Sequence, residues 1–494
     1  MLEQIPSNDN KAKQSVRGPA YLCLHGHFYQ PPRENPFTNE ILPEPAATPF
    51  ANFNEKITSE CYAPNAEAGN FDALNFDLGP TLASWLEQAY PAVLQRIIEA
   101  DQRNVALYGV GNAMAQAYNH TILPLATTRD KHTQVAWGLS DFRQRYGREA
   151  KGMWLAETAV DLESLDIMAQ HGISYTVLAP WQTATSVDPS EAYRVRLLNG
   201  RSMTVFFYNA PLSGGVSFDW NTTSNADLFA GTYLPDQLEP HKRKAGEPQL
   251  ILIATDGELY GHHRPWRDKF LAHLIQVGAP SSGFEICTLE RYMKMYPATR
   301  EVELRLPSAW SCSHGIARWD SGCECTEGAS SWKGTLRQAL NHLATRGDQL
   351  FEQYAAETLA DPWAARDAYL SVRNGWESAE SFWQRFGKSG QQPALDAAQR
   401  TMQLLEAQYY QQYSFTSCGF FFEDLDRIEP RNDIGFARRA ISLYWQALGV
   451  DLQSDFVQDL YATKSWHTGL NGAELYRQLP VVDAKLLPPL QQDK

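Results

Sequence analysis

The chain has 494 residues, room for two or three domains with a large core, and its 57 acidic against 43 basic side chains leave a formal charge of −14 at pH 7. No basic cluster interrupts that balance, which argues against a nucleic-acid partner, and no apolar run reaches the ~18 residues that a membrane span needs. Seven cysteines, an odd number, behind a polar start (Met1 to Val16) without the apolar core of a secretory signal, point to reduced thiols in a cytoplasmic setting.

Residues 1–18 read as a disordered tail. A short apolar strand, Tyr21–His25, follows, and then a long loop over 32–80, rich in Pro, Asn, Phe and Ala, on the face where the strands end. From there the periodicity predicts a helix at Thr81–Ala100, a strand at Asn104–Val110, a helix at Arg129–Tyr146 and a strand at Lys151–Glu157. A helix at Leu162–His171 comes next, then strands at Ile173–Leu178, Met203–Tyr208 and Gln249–Asp256. A helix at Trp266–Val277 and a strand at Val302–Leu306 complete the series. Seven strands alternating with helices predict a parallel sheet with helical crossovers, an α/β fold of the incomplete (β/α)7-type barrel kind over 19–307. A Cys-rich segment covers 308–330. Beyond it, Leu336, Leu340, Leu343, Leu350 and Tyr354 share one helical face, and Leu395, Ala398, Met402, Leu405 and Tyr409 repeat the pattern. These predict a helical bundle domain over 331–480, with 481–494 loosely held.

Two of the strands end abruptly in carboxylates, at Glu157 and Asp256. Parallel barrels carry their chemistry at the C-terminal ends of strands, where two acids can divide the work of nucleophile and general acid. A carboxylate after a strand is also a common helix cap or turn residue. The neighbours favour chemistry: flat apolar faces with polar edges suit sugars, and Trp154 precedes Glu157 while Tyr260, His262 and His263 follow Asp256. Glu258 competes with Asp256 for the acid role, but two positions past the strand end it has turned away. His25 and His27 alternate at a strand end. They fit contacts to sugar hydroxyls, a Zn²⁺ site with a strand-end Asp, or plain structural roles. Asn119 and His120 fit sugar contacts or their props. Trp154, Trp220 and Trp319 are stacking candidates that could equally be core. Cys312, His314, Cys323 and Cys325 form a compact set. Cys-x-Cys fits a zinc knuckle poorly, so the expectation is buried reduced thiols, with no metal and no cofactor.

Five segments in order carry a resemblance. They are His25-Gly26-His27 with Gln30-Pro31, Gln116 to Leu125, Trp154-Leu155-Ala156-Glu157, Asp256-Gly257-Glu258-Leu259-Tyr260-Gly261-His262, and Ser308-Ala309-Trp310 through His314 to Trp319. Together they resemble the motifs of glycoside hydrolase family 57, α-glucan-active enzymes built on an incomplete β/α barrel. The resemblance implies Glu157 as nucleophile and Asp256 as acid/base. The candidate sugar contacts are His25, His27, Gln30, His120, Trp154, Trp220, Glu258, His262, His263, Trp310, His314 and Trp319. The implied activity is hydrolysis or transfer on an α-glucan or oligosaccharide by double displacement, with no nucleic-acid or membrane partner. Phe28 and Tyr29 separate His-x-His from Gln-Pro, and cysteines surround the fifth motif; both depart from the better-known members. Thr416 to Leu425 resembles part of the helical domain that follows the barrel in a bacterial branch of the family. The rival classes are a metal-dependent carbohydrate hydrolase or deacetylase, and a non-catalytic glucan-binding regulatory protein.

Overall fold

Ala20–Phe28 is an unbroken apolar run ending in His-Gly-His-Phe, and it forms a strand buried along its whole length. Burial on both faces is what the central strand of a parallel sheet requires. The computed structural model describes residues 18–480 and 483–489. The tail expected over 1–18 lies, apart from Gly18, outside the described residues, as do 481–482 and 490–494 of the expected C-terminal end.

The strands are β1 (Ala20–Phe28), β2 (Asn75–Leu78), β3 (Ala113–Gln116), β4 (Met153–Trp154), β5 (Tyr175–Leu178), β6 (Ala192–Arg196), β7 (Ser202–Phe207), β8 (Gln249–Asp256), β9 (Glu285–Ile286) and β10 (Arg300–Glu301). One sheet runs β4-β3-β2-β1-β8, all parallel, with β9 also against β1. A second runs β10-β6-β7-β5, in which β5 and β7 are parallel and β6 returns antiparallel. A parallel bridge between Gly152 and Tyr175 joins the two. At the opposite edge the Asn209 N–H, just past β7, donates to Leu252 O of β8 at 2.7 Å, and the Ala254 N–H donates to Ser213 Oγ at 3.1 Å. Seven parallel strands, β8-β1-β2-β3-β4-β5-β7, therefore curl into an incomplete barrel.

The two-residue period of a strand sorts its side chains. Leu22, Leu24, Ile251 and Ile253 join the core under the outer helices. Tyr21, Cys23, Leu250, Leu252 and Ala254 join the barrel interior with Met114, Trp154 and Tyr175. Continued to the strand ends, the interior series reaches His25 and His27 in β1 and Asp256 in β8.

Several expected elements are placed differently. Asn104–Val110 is not a strand but the end of the helix Pro91–Tyr108, closed by Gly109 at φ 70°. Val105, Leu107 and Tyr108 are a β-like trio left on the solvent side, and the strand starts only at Ala113. Thr81–Ala100 is two helices, Pro80–Ala89 and Pro91–Tyr108, parted where Pro91 lacks the N–H that would continue the first. The expected loop over 32–80 contains helical turns across 53–67 and the strand β2. β2 has the sequence Asn-Phe-Asp-Leu, whose polar members face inward, and its alternation is too short to stand out in the chain. Of Lys151–Glu157 only Met153–Trp154 is strand. Of Val302–Leu306 only Leu304 makes a bridge, to Thr183, while the strand there is Arg300–Glu301.

From Trp332 the chain is helical. Trp332–Ala355, Leu395–Tyr413 and Ile428–Leu448 are the longest elements, and Leu336, Leu340, Leu343 and Leu350 face inward as their spacing predicts. Their apolar core continues into Tyr118, Trp137, Ala156 and Ala159 of the barrel and into Ala309, Cys312 and Trp319. Fully buried Arg366 also ties the two parts, donating to Gln408 and Thr133 at 2.7 and 2.8 Å and pairing with Asp130 at 2.9 Å.

Candidate active site

Strand register puts three charged groups in one line. His27 of β1 pairs with Asp77 of β2 on one side and with Asp256 of β8 on the other. The His27 ring gives Nδ1–H to Asp77 Oδ2 at 2.8 Å, and its Nε2 lies 3.1 Å from His120 Nε2. His120 Nδ1 in turn meets Ser417 Oγ of the helical half at 2.6 Å. Burial opposes a charge on His27, but Asp77, then Asp256 and Glu258, overcome it and push its pKa up to about 9. Burial and the charge on His27 hold His120 well below its usual value. One proton arrangement fits: a charged His27 donates to Asp77 and to His120, and a neutral His120 donates to Ser417. His25 is committed elsewhere, accepting from Asn75 Nδ2 at Nδ1 (2.8 Å), with Nε2 3.2 Å from Asp77 Oδ1. Burial keeps it below its usual pKa. The His-x-His pair thus turns onto Asp77, with Trp154 stacked beneath both rings at 4.6 and 5.2 Å. A metal-binding use of the pair is not what this arrangement presents.

Glu157 follows β4 in a tight turn in which Glu157 (φ 57°) and Thr158 (φ 48°) are both left-handed. Such conformations are costly for residues with a Cβ and persist only where the surroundings enforce them. Gln182 does so: its Nε2 donates to Thr158 O (2.9 Å) and Ser308 Oγ (3.2 Å), and its Oε1 accepts from Thr158 Oγ1 (2.9 Å) and the Ala179 N–H (2.8 Å). The segment from Ser308 runs antiparallel to Glu157–Val160, and the Trp310 N–H donates to Glu157 O at 3.1 Å. The Trp310 indole N–H and Ser311 hydroxyl both donate to Glu157 Oε2 at 2.9 Å. Burial raises the Glu157 pKa; these two donors work against it, and Asp256 adds to it.

Asp256 ends β8 with its side chain open to the cleft. The walls of the cleft still strip away enough water to raise its pKa, against the pull of His27 and His263. Glu258 is 5% exposed, accepts from Tyr62 OH at 2.6 Å and the Tyr29 N–H at 3.3 Å, and is pushed up to about 7, chiefly by burial.

Two cavities adjoin at these acids. The larger, about 520 Å³, is lined by His27, Gln30, His120, Glu258, His262 and His263 together with Tyr29, Phe53, Cys418 and Phe422. The smaller, about 360 Å³, is lined by Trp181, Tyr208, Phe218 and Trp310. Glu157, Asp256 and Phe421 line both. His262 is fixed by Glu60 at 2.6 Å.

Other expected contacts lie elsewhere. Trp154 and Trp319 are fully buried and belong to the cores, and His25 is buried beneath His27. Trp220 is 58% exposed and outside both cavities, stacked on the Arg264 guanidinium. His314 sits among Cys312, Cys323 and Cys325 and lines neither cavity; among the described residues these four are the group that converges closely enough for a metal ion. Residues that sequence reasoning passed over also line or build the site. Asp77 was hidden in the unread strand β2. Tyr29 and Ser311 lie within the first and fifth motifs but were given no role. Ser417, Cys418 and Phe421 lie in the Thr416–Leu425 motif, whose nearness to the cleft no local signal reveals.

The profile of glycosyl hydrolase family 57 matches residues 26–305, and that of a domain of unknown function (DUF3536) matches residues 329–486. The fold is similar to that of an exo-type maltose-forming amylase from Pyrococcus sp. ST04, with a TM-score of 0.73 and 13% identity over 93% of this chain and 88% of that one. It is also similar to a branching enzyme from Pyrococcus horikoshii, with a TM-score of 0.60 and 14% identity over 95% and 99% of the two chains. A stretch of 159 residues is 26% identical to Alpha-amylase 1 of Dictyoglomus thermophilum, covering 32% of this chain. The chain matches 21% of the length of that curated relative.

Proposed function

The chain belongs to glycosyl hydrolase family 57, and is a glycoside hydrolase or transglycosylase; on that premise we propose that it acts on α-glucans with retention of configuration, with Glu157 as nucleophile and Asp256 as acid/base. One observation carries the reading: both carboxylates line both cavities, so a glucan chain laid across the two would pass both acids.

The proposed chemistry proceeds in two displacements. Glu157 attacks the anomeric carbon while Asp256 gives its proton to the leaving oxygen. Asp256 then takes a proton from water or from an acceptor hydroxyl, whose oxygen displaces Glu157. An acid that donates at neutral pH needs a raised pKa, and the enclosure of Asp256 supplies one. A nucleophile needs its charge, and the hydrogen bonds from Trp310 and Ser311 favour the ionised Glu157. They also aim its other oxygen. Charged His27 sits beside Asp256 and restrains how far its pKa climbs. Glu258 is less suited to the acid role, since it is nearly closed off and lines the larger cavity alone of the two. Phe421 and Phe422 from the helical half supply apolar faces for sugar rings.

Incubating the protein with maltooligosaccharides or glycogen tests this. The expected result is shortened or redistributed chains, or new linkages, lost in Glu157→Gln. Unchanged glucans across the series would overturn it.

A further inference from the structure

From Ser311 to Ser331 the chain makes only turns and bends. Connections of that length without regular structure are uncommon inside a packed protein and need something to hold them. Three thiols and an imidazole meet within this one. Cys312 Sγ is 3.7 Å from Cys323 Sγ, and Cys325 Sγ is 3.4 Å from His314 Nδ1. One donor atom from each of the four residues lies within 4.8 Å of all the others. Sulfur and nitrogen ligands placed tetrahedrally around zinc stand about 3.5–3.8 Å apart.

We propose that Cys312, His314, Cys323 and Cys325 form a structural Cys₃His zinc site. A second relationship supports it. His314 directs Nδ1 at the thiols and Nε2 at Glu324 Oε1, 3.3 Å away. A carboxylate that accepts from the far nitrogen holds the ring proton on that nitrogen and leaves the near nitrogen a free electron pair, the usual support of a metal-bound imidazole. The backbone of the second ligand pair is also fixed. Arg318 Nη2 donates to Cys325 O at 2.7 Å, and Ser330 and Thr326 donate to Cys323 O at 3.2 and 3.3 Å. Four protein ligands close the site, so it has no open position for a reacting water. On binding, each of the three sulfurs exchanges its proton for a bond to the ion. Arg318, bonded to Cys325 O, and Lys333, whose Nζ donates to Thr326 Oγ1 at 3.1 Å, can balance the resulting negative charge.

The Cys-x-Cys spacing argued for plain thiols because knuckle spacing describes ligands supplied by one turn. Here the chain doubles back between Gly315 (φ 76°) and Gly322 (φ 86°), where a Cβ on Gly322 would lie 2.3 Å from Ser330 O, and brings a Cys-x-His pair onto a Cys-x-Cys pair. The site begins one residue after Ser311, so the ion would fix the segment whose Trp310 and Ser311 hold Glu157. The metal content itself stands or falls whatever reaction the cleft performs.

Elemental analysis of the full chain, produced with zinc in the medium, tests this. We expect about one zinc per chain. Replacing zinc by cobalt should give thiolate-to-cobalt charge-transfer absorption and tetrahedral visible bands. Cys325→Ala should lose at least ~90% of the bound metal. Glu324→Gln, an exposed substitution that leaves every ligand in place, should weaken zinc binding roughly 10–100-fold against a competing chelating dye. Four results would overturn the proposal: no zinc bound or taken up by the parent chain, iron in its place, a Cys312–Cys323 disulfide in a non-reducing peptide map, or Glu324→Gln and Cys325→Ala both binding zinc like the parent.

Discussion

His27 and His120 face each other Nε2 to Nε2 at 3.1 Å, so a single proton serves both rings. Asp77 settles its place: the carboxylate bonded to His27 Nδ1 keeps the charge on His27. That charge favours the ionised forms of both Glu157 and Asp256. Replacing His27 with Asn removes it, so both carboxyl pKa values should rise. Both limbs of the pH profile of kcat/KM should then move to higher pH. Unmoved limbs in an active variant would place the charge elsewhere.

The same residue makes a stability prediction. The folded pKa of His27, about 9, lies above the ordinary 6.5. Its contribution is therefore fully present below about pH 6.5 and lost as the pH rises through 9. Urea unfolding of the parent should show stability falling across that window. His27→Asn should flatten the fall, and an equal slope in both proteins would contradict the assignment.

Asp256 and Glu258 can be told apart by leaving group. Asp256→Asn should slow cleavage of maltooligosaccharides about 10²–10⁴-fold. It should leave the first turnover of α-glucosyl fluoride, whose departing fluoride needs no proton, nearly intact in a burst experiment. Glu258→Gln should affect the two substrates alike, because its partners are Tyr62 and the Tyr29 backbone. The reverse pattern would move the acid to Glu258.

The strained turn at Glu157 depends on Gln182. Gln182→Leu removes four hydrogen bonds and leaves the Thr158 carbonyl buried without its donor. We expect a loss of about 1–3 kcal/mol in unfolding free energy and a fall in kcat with KM little changed. A stable variant with parental kcat would show that the turn holds itself.

The long strands made much of this legible. In β1 and β8 the apolar runs are long, and counting by twos along the strands reaches His27 and Asp256, which the fold sets side by side. Short elements defeated the same reasoning. Asp77 sits in a four-residue strand with its polar residues inward, and the β-like trio Val105, Leu107 and Tyr108 closes a helix instead. Trp154 looked like a sugar platform because it precedes Glu157, yet the strand's alternation turns it into the barrel interior, under the histidines. Contacts made across the whole chain leave no local trace: Ser417 reaches His120, and the cysteine pairs meet only because the chain reverses between them.

The identity of the nucleophile is the central claim, and covalent trapping reads it directly. The protein is incubated with 5-fluoro-α-glucosyl fluoride, a donor that forms the glycosyl-enzyme faster than water releases it, then digested and mapped by mass spectrometry. The account predicts one fluoroglucosyl group on the side chain of Glu157 and none in Glu157→Gln. A label on Asp256 or Glu258, or turnover of the donor with inversion and no label, would contradict it.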